Sequence, residues 1–373
     1  MKISYIVSNR IPSERANGYA IMKLCEEWGK LGHAVRLVVP GKKHGSKGDP
    51  FSYYGIKPVF SIHRPTASDF LGKHQTFVRL WFAIDMLSYM HSLLGLKFSQ
   101  GDIVYTREYL LALVLPKNNL FLEMHTLPNS GFLMRRALQR ARGVIAISAG
   151  VRDALVRLGI SAQKILIAHD GVDLEVFARA EPDKAVWKKF SIDPSKKIVL
   201  YTGHFYEWKG ADTLVEAAQY LPRNAHVVLM GAADEELLQY GGRENVSVVP
   251  YQPFEFVPRF LVSADVLVLP NSGKREISRE HASPLKLFEY MAAGVPIVAS
   301  DVPSIREILD DSSAFWFTPD NAQSCARTIA YALSHEAEAR EKATRARVRV
   351  EKYTWHARAA NIASFVSSNL YEK

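Results

Sequence analysis

The chain has 373 residues, 48% of them hydrophobic and 23% charged, a length that exceeds one comfortable core and a composition ordinary for a globular protein, so two domains are expected. Only Cys25 and Cys325 occur, far apart and without ligand spacing, which argues against a disulfide framework and a zinc site and fits a reducing cytoplasm. The net charge of +9 is uneven: residues 1–180 carry 24 Lys and Arg against 13 Asp and Glu, while residues 181–373 carry 23 against 25.

A basic first half suits an anionic partner such as a diphosphate-linked acceptor or an acidic membrane leaflet, or else only a solvated surface. Zinc-finger spacing and RNP-type aromatic runs are absent, so nucleic acid is not an expected partner. The opening MKISYIVS reads as a strand rather than a leader, and no run reaches the length of a membrane span, so a secreted or integral protein is not expected.

In chain order the first half offers strands at KISYIVS, HAVRLVV, DIVYTR, NLFLEMH, GVIAIS and KILIAH, alternating with helical patterns at 18–31, 131–142 and 148–159. Segment 73–98 is helical and strongly apolar, with a narrow polar stripe through Gln75, Arg79, Asp85, Ser88 and Ser92, and is expected to be mostly core. A polar stretch beginning HDGVDLEVF places the boundary between domains 1–176 and 190–353. The second half repeats the alternation with KIVLYTG, HVVLMG, NVSVVP, DVLVLP, PIVAS and SAFWFT, and helices at 211–221, 233–240, 254–263 and 284–293. Continuous apolar strands imply sheets buried on both faces, hence an α/β chain with two doubly wound parallel sheets and ligand sites at the carboxyl ends of their strands. From about 336 the chain is helical to its end.

Two stretches could bind phosphate. In SPLKLFEYMAAG, Ser283 is a good N-cap, Pro284 suits the first helical position, and Gly294 closes the helix. Lys286 then sits in the first turn, where the dipole favours an anion; a bound phosphate resolves the conflict, as does a simple pair with Glu289. In YTGHFYEWKGADTL a strand ends at Gly203 and Lys209 stands beside a helix start near Gly210, a geometry that binds phosphate but is common in α/β proteins.

Residues 283–309 resemble the donor-binding signature of retaining glycosyltransferases of the family 4 type, and the resemblance extends over most of the chain. It implies the GT-B fold, two Rossmann-like domains facing across a cleft with the last helix (354–373) returning to the first. Glu289 matches the family's ribose-binding Glu, and the backbone at Ser283, Pro284 and Leu285 matches the segment that meets sugar and diphosphate. The family usually carries a second Glu where this chain has His281, with Glu280 one place off. Lys209 matches the Lys that the family supplies to the diphosphate beside Gly203, whereas His204 stands where Arg is usual, so its charge depends on pH. His125 corresponds to a family His that orients the sugar, and is otherwise read as a strand-end histidine bonded to backbone. The loop SNRIPSERANGYAIMKL matches a Gly-rich loop with Gly18 near the diphosphate, and Asn17, Tyr19, Arg10 and Arg15 as acceptor contacts.

The implied activity is transfer of a hexose from a UDP- or GDP-linked sugar to a hydroxyl acceptor with retention, in polysaccharide or glycolipid synthesis. His125, Lys209 and Glu289 carry the chemistry. The nucleotide-sugar serves as co-substrate, with no cofactor and no metal. Lipid-linked acceptors in this fold imply docking on an anionic membrane surface through the apolar segment 73–98 and the arginines 135, 136, 140 and 142. Two alternatives stay open: a nucleotide-sugar epimerase of the same fold, and a degenerate nucleotide-sugar-binding or scaffold subunit.

Overall fold

The computed structural model describes residues 1–41, 48–70, 77–127, 131–232, 240 and 243–371. The helix expected at 233–240 lies outside these apart from Tyr240, as do residues 73–76 with Gln75. The chain divides into two compact units, Met1–His169 with Trp355–Lys373, and Asp170–Thr354.

The first unit holds seven strands: β1 Lys2–Ile6, β2 Ala34–Val38, β3 Ser61–His63, β4 Ile103–Thr106, β5 Leu120–Met124, β6 Gly143–Ala146 and β7 Ile165–Ile167. They pair in parallel in the order β3-β2-β1-β4-β5-β6-β7. Strands β4, β5 and β6 are buried along their whole length, because helices cover both faces of such a sheet. The short edge strand β3, with no fully buried residue, has no apolar run to betray it in sequence. The terminal helix Trp355–Tyr371 belongs to this unit: the Trp28 indole donates to Ala359 O at 3.1 Å, and Tyr19 packs edge-on to Trp355.

The second unit holds β8 Lys197–Thr202, β9 Ala225–Ala232, β10 Val246–Pro250, β11 Val266–Leu269, β12 Ile297–Ser300 and β13 Phe315–Phe317, parallel in the order β10-β9-β8-β11-β12-β13. The strand order reverses between β1 and β4 and between β8 and β11, and ligand crevices form where it does. The chain passes between the units at His169, the start of the polar stretch, and Val172, Phe177, Val186 and Trp187 join the core of the second unit.

The apolar helix Val78–Leu93 departs from expectation in an instructive way. Asp85 and Ser88 of its polar stripe face inward, while Arg79 is exposed. The Asp85 carboxylate is buried and accepts from Ser68 Oγ at 2.8 Å and Phe70 N at 2.9 Å, and Ser88 Oγ accepts from Ser68 N. Leu80, Phe82 and Leu87 turn outward, 53%, 48% and 64% exposed. Of the four arginines grouped with it, Arg135 and Arg136 are exposed, while Arg140 caps the carbonyls of Ala112 and Leu115 and Arg142 donates to those of Asn369 and Leu370.

Candidate active site

In the second unit β8 ends at Gly203, whose φ of +110° only glycine adopts at ease, and whose Cβ, if present, would lie 3.4 Å from Lys286 Nζ and 4.0 Å from Lys209 Nζ. Two ammonium groups therefore flank one glycine at the switch point. Gly210, at φ +72°, lets the loop pass over β11, since a Cβ there would sit 1.8 Å from Pro270 O. Ser272 N donates to Trp208 O at 3.1 Å and ties the two strand ends together.

Lys286 arrives on the helix Leu285–Ala293, which starts one residue later than the sequence suggested. Pro284 is the N-cap, while Ser283 Oγ accepts from Asp170 N at 3.4 Å instead of capping. Gly294 closes the helix in the left-handed region, as expected. Tyr290 pins the helix to β8, its hydroxyl accepting from Thr202 N at 2.8 Å. Lys286 is 8% exposed, with its Nζ 3.6 Å from the centroid of the Tyr201 ring. Burial, and then the like charge of Lys209, push its pKa well below the usual lysine range, with partial relief from Glu289. Glu289, one turn along, is half-buried at its rim, and desolvation raises its carboxyl to about 7 despite Lys286. Among the described residues no ion pair within 4.0 Å joins Lys286 to Glu289, so the simple pairing is not what holds this lysine.

Upstream, a π-turn over Ile277–His281 inserts an extra residue into the approach to this helix, a feature that favours functional sites and leaves no sequence signal. It buries His281, whose Nε2 lies 3.8 Å from Glu276 Oε1, and leaves Glu280 at the surface, paired with Arg279 at 2.9 Å. His204 stacks on Tyr206 at 5.6 Å, and Tyr206 on Trp208 at 6.3 Å. Lys209 Nζ lies 5.1 Å from the Tyr206 ring.

The first unit carries the other residues at the ends of β1, β4 and β5. His125 follows β5 and borders a cavity of about 360 Å³ lined by Phe82, Met86, Tyr109, Leu110 and Met124, with Arg107 and Glu108 at its polar side. Its Nε2 bonds the carboxylate of Glu123. Arg10 pairs with Asp69 at 2.6 Å, Arg15 is exposed at the N-cap of the helix Ala16–Lys30, and Asn17 lies half-buried in its first turn. A Cβ on Gly18 would strike the Tyr54 hydroxyl, so this glycine serves close packing, and Tyr19 sits between the rings of Tyr54 and Trp355. Sequence reasoning missed Tyr201, Glu123 and Arg358. Only Glu123 left a trace, as a charge inside the apolar run NLFLEMH.

The sequence profile of glycosyl transferases group 1 matches residues 183–349, and that of glycosyltransferase family 4 matches residues 18–176. The alpha-maltose-1-phosphate synthase of Mycolicibacterium smegmatis is 28% identical over 204 residues, 49% of this chain and 49% of that protein. The chain spans about half the length of the curated relatives it matches. In fold it is similar to sucrose-phosphate synthase of Thermosynechococcus elongatus (TM-score 0.76, 18% identity, 98% of each chain). It is similar too to Anabaena HepE solved with UDP and glucose (TM-score 0.75, 15% identity, 99% of this chain and 100% of that one). The two parallel-sheet units are those of the GT-B fold. With one profile on each unit and the lysines, glycine and helix described above in the matched stretch, the chain belongs to the group 1, family 4 type of glycosyltransferases.

Proposed function

We propose that the protein transfers a hexose from a nucleotide diphosphate sugar, UDP- or GDP-linked, to a hydroxyl acceptor with retention of configuration and without a metal or cofactor. The observation that carries this reading is the convergence of Lys209 and Lys286 on Gly203 at the β8 switch point, with Glu289 one turn further along the same helix. Two cations, one of them buried at a cost, call for a dianionic ligand. A diphosphate meets that need and Glu289 would take the ribose hydroxyls. HepE, of like fold, was solved with UDP, in keeping with such a donor. As the nucleotide diphosphate leaves, charge develops on a phosphate oxygen, where the two ammonium groups and the N–H groups opening helix Leu285–Ala293 stabilise it. The retaining step takes place on the donor's front face, the leaving phosphate assisting deprotonation of the acceptor. His125 orients the sugar, and glycan or glycolipid assembly in the cytoplasm is the setting.

A thermal-shift panel of UDP, GDP and their sugars, with and without chelator, tests this, because a ligand of the folded state raises its apparent stability. One nucleotide-sugar family shifts the transition regardless of chelator, and product analysis with mixed glycan acceptors shows sugar transfer. Epimerised sugar formed without acceptor would replace the reading with an epimerase, and donor binding without turnover would leave a binding subunit.

The outward apolar face of Val78–Leu93, with Arg79 on the same exposed side, supports peripheral docking on an anionic bilayer. Among the described residues no helix is long and apolar enough to cross a membrane. The chain is expected to co-sediment with phosphatidylglycerol vesicles and not with pure phosphatidylcholine. A Leu80→Glu, Leu87→Glu double variant loses that binding; retention of it refutes the docking face.

A further inference from the structure

Strand β5 reads Leu-Phe-Leu-Glu-Met and is buried throughout, so a carboxylate in its fourth position stands inside the sheet and needs partners. Glu123, 2% exposed, has three. Arg358 Nη2 of the terminal helix lies 3.0 Å from Oε2, the Tyr105 hydroxyl donates to the same oxygen, and His125 Nε2 meets Oε1. Residues two apart on an extended strand share a face, which is how His125 folds back onto Glu123. Arg358 is itself 5% exposed and anchored, donating to the carbonyls of Ala168 and His169, the latter at 2.7 Å.

We propose that Glu123 is the positioning residue of His125: held by Arg358, it fixes which ring nitrogen carries the proton and raises the imidazole's basicity. Burial alone would raise the Glu123 carboxyl, yet Arg358 and then His125 hold it well below the usual carboxylate range. An ionised carboxylate only accepts, so the nitrogen facing it carries the hydrogen in both protonation states, and the neutral ring keeps its lone pair on Nδ1. Among the described residues, the charged and titratable groups around His125 include Glu123 on its own strand, Tyr105, Arg107, Glu108 and Tyr109 from β4 and the residues after it, and Arg358 from the terminal helix. Glu123 is in direct contact with the ring, so its charge outweighs Arg358 behind it and Arg107 on the cavity wall. The assignment of a sugar-orienting role to His125 rests on the proposed function, whereas the state of its ring does not.

The test is long-range ¹H–¹⁵N NMR of the full chain labelled at histidine, with His125 assigned from a His125→Gln variant. The wild type shows the Nε2–H tautomer. Glu123→Gln lowers the titration midpoint of His125 by about one pH unit, a roughly tenfold loss of proton affinity, and admits the other tautomer. In turnover assays the same variant lowers kcat about tenfold, leaves the donor KM within about twofold, and moves the pH profile with the NMR midpoint. An unchanged tautomer and midpoint overturn the proposal and reduce Glu123 to a pin for the terminal helix. If Glu123→Gln does not fold, Tyr105→Phe serves: loss of one donor makes the carboxylate a better acceptor and raises the His125 midpoint, and no movement overturns the proposal. A protein with no transferase activity would fail the proposed function while leaving the NMR arms decisive.

Discussion

Lys286→Met is expected to lower kcat/KM with the nucleotide-sugar donor by about 10²–10³-fold while making the ligand-free protein more stable, by about 1–2 kcal/mol at neutral pH. The two effects have opposite signs for one reason. Lys286 is 8% exposed, its Nζ rests on the Tyr201 ring at 3.6 Å, and Lys209 repels it, so the folded state disfavours its charge. Its folded pKa lies below its unfolded one. The unfolded chain therefore binds more protons between the two values, and stability rises with pH through that window. The gain from Lys286→Met is thus full below the folded pKa and vanishes as pH approaches the unfolded value. A bound diphosphate supplies the missing counter-charge and raises the lysine's pKa, so at pH values above the free protein's folded pKa binding draws protons from buffer. Melting temperatures of wild type and variant across pH, with UDP titrations in two buffers of different ionisation enthalpy, read all of this. A variant that is less stable yet equally active would show that Lys286 is a packing residue.

Glu289→Gln is expected to weaken donor binding about 100-fold and to stabilise the protein above pH 7 by about 2 kcal/mol. Desolvation raises this carboxyl to about 7, against roughly 4.3 in an unfolded chain. Between these values the folded state holds the extra proton. The stability it contributes is present below the unfolded pKa and is lost as pH rises through 7. Its rim exposure trims the full linkage value to the figure given. The glutamine carries no such cost, so the two proteins melt alike near pH 4 and diverge as pH rises toward 7, the difference being full and constant above it. Ribose hydroxyls donate to the ionised carboxylate, so donor binding releases a proton here, opposite in sign to the uptake at Lys286, and the variant isolates the uptake. Equal donor affinity in wild type and variant, with a melting difference flat in pH, would remove Glu289 from the site.

The parallel sheets were legible because each strand but one carries its own apolar run. The exception, β3, is three residues long and buries none of them fully. Helix Leu285–Ala293 was legible from Pro284 and Gly294, yet its first residue was misplaced, since Ser283 spends its hydroxyl on the backbone of Asp170, a partner no local pattern announces. Segment 78–93 was read only in part: Met86, Tyr89 and Leu93 join the core as expected, whereas Leu80, Phe82 and Leu87 turn outward. Its polar stripe satisfies the backbone and hydroxyls of residues 68–70, and a helix that is apolar nearly all round gives no clue as to which face looks inward. The pairing of Glu123 with Arg358 joins a strand to the far end of the chain, and the π-turn before the donor helix changes backbone phase without changing composition.

The placement of Trp355–Tyr371 on the first unit also sets an order of assembly during synthesis. Residues 170–354 form their unit from one continuous stretch and can condense as they leave the ribosome. Residues 1–169 precede that stretch, yet the indole of Trp28 and the carboxylate of Glu123 wait for Ala359 and Arg358, which are made after it. The unit begun before the other is therefore completed after it, and a stop codon shortly before residue 355 would leave a buried acid at position 123 without its counter-ion, far in sequence from the cut.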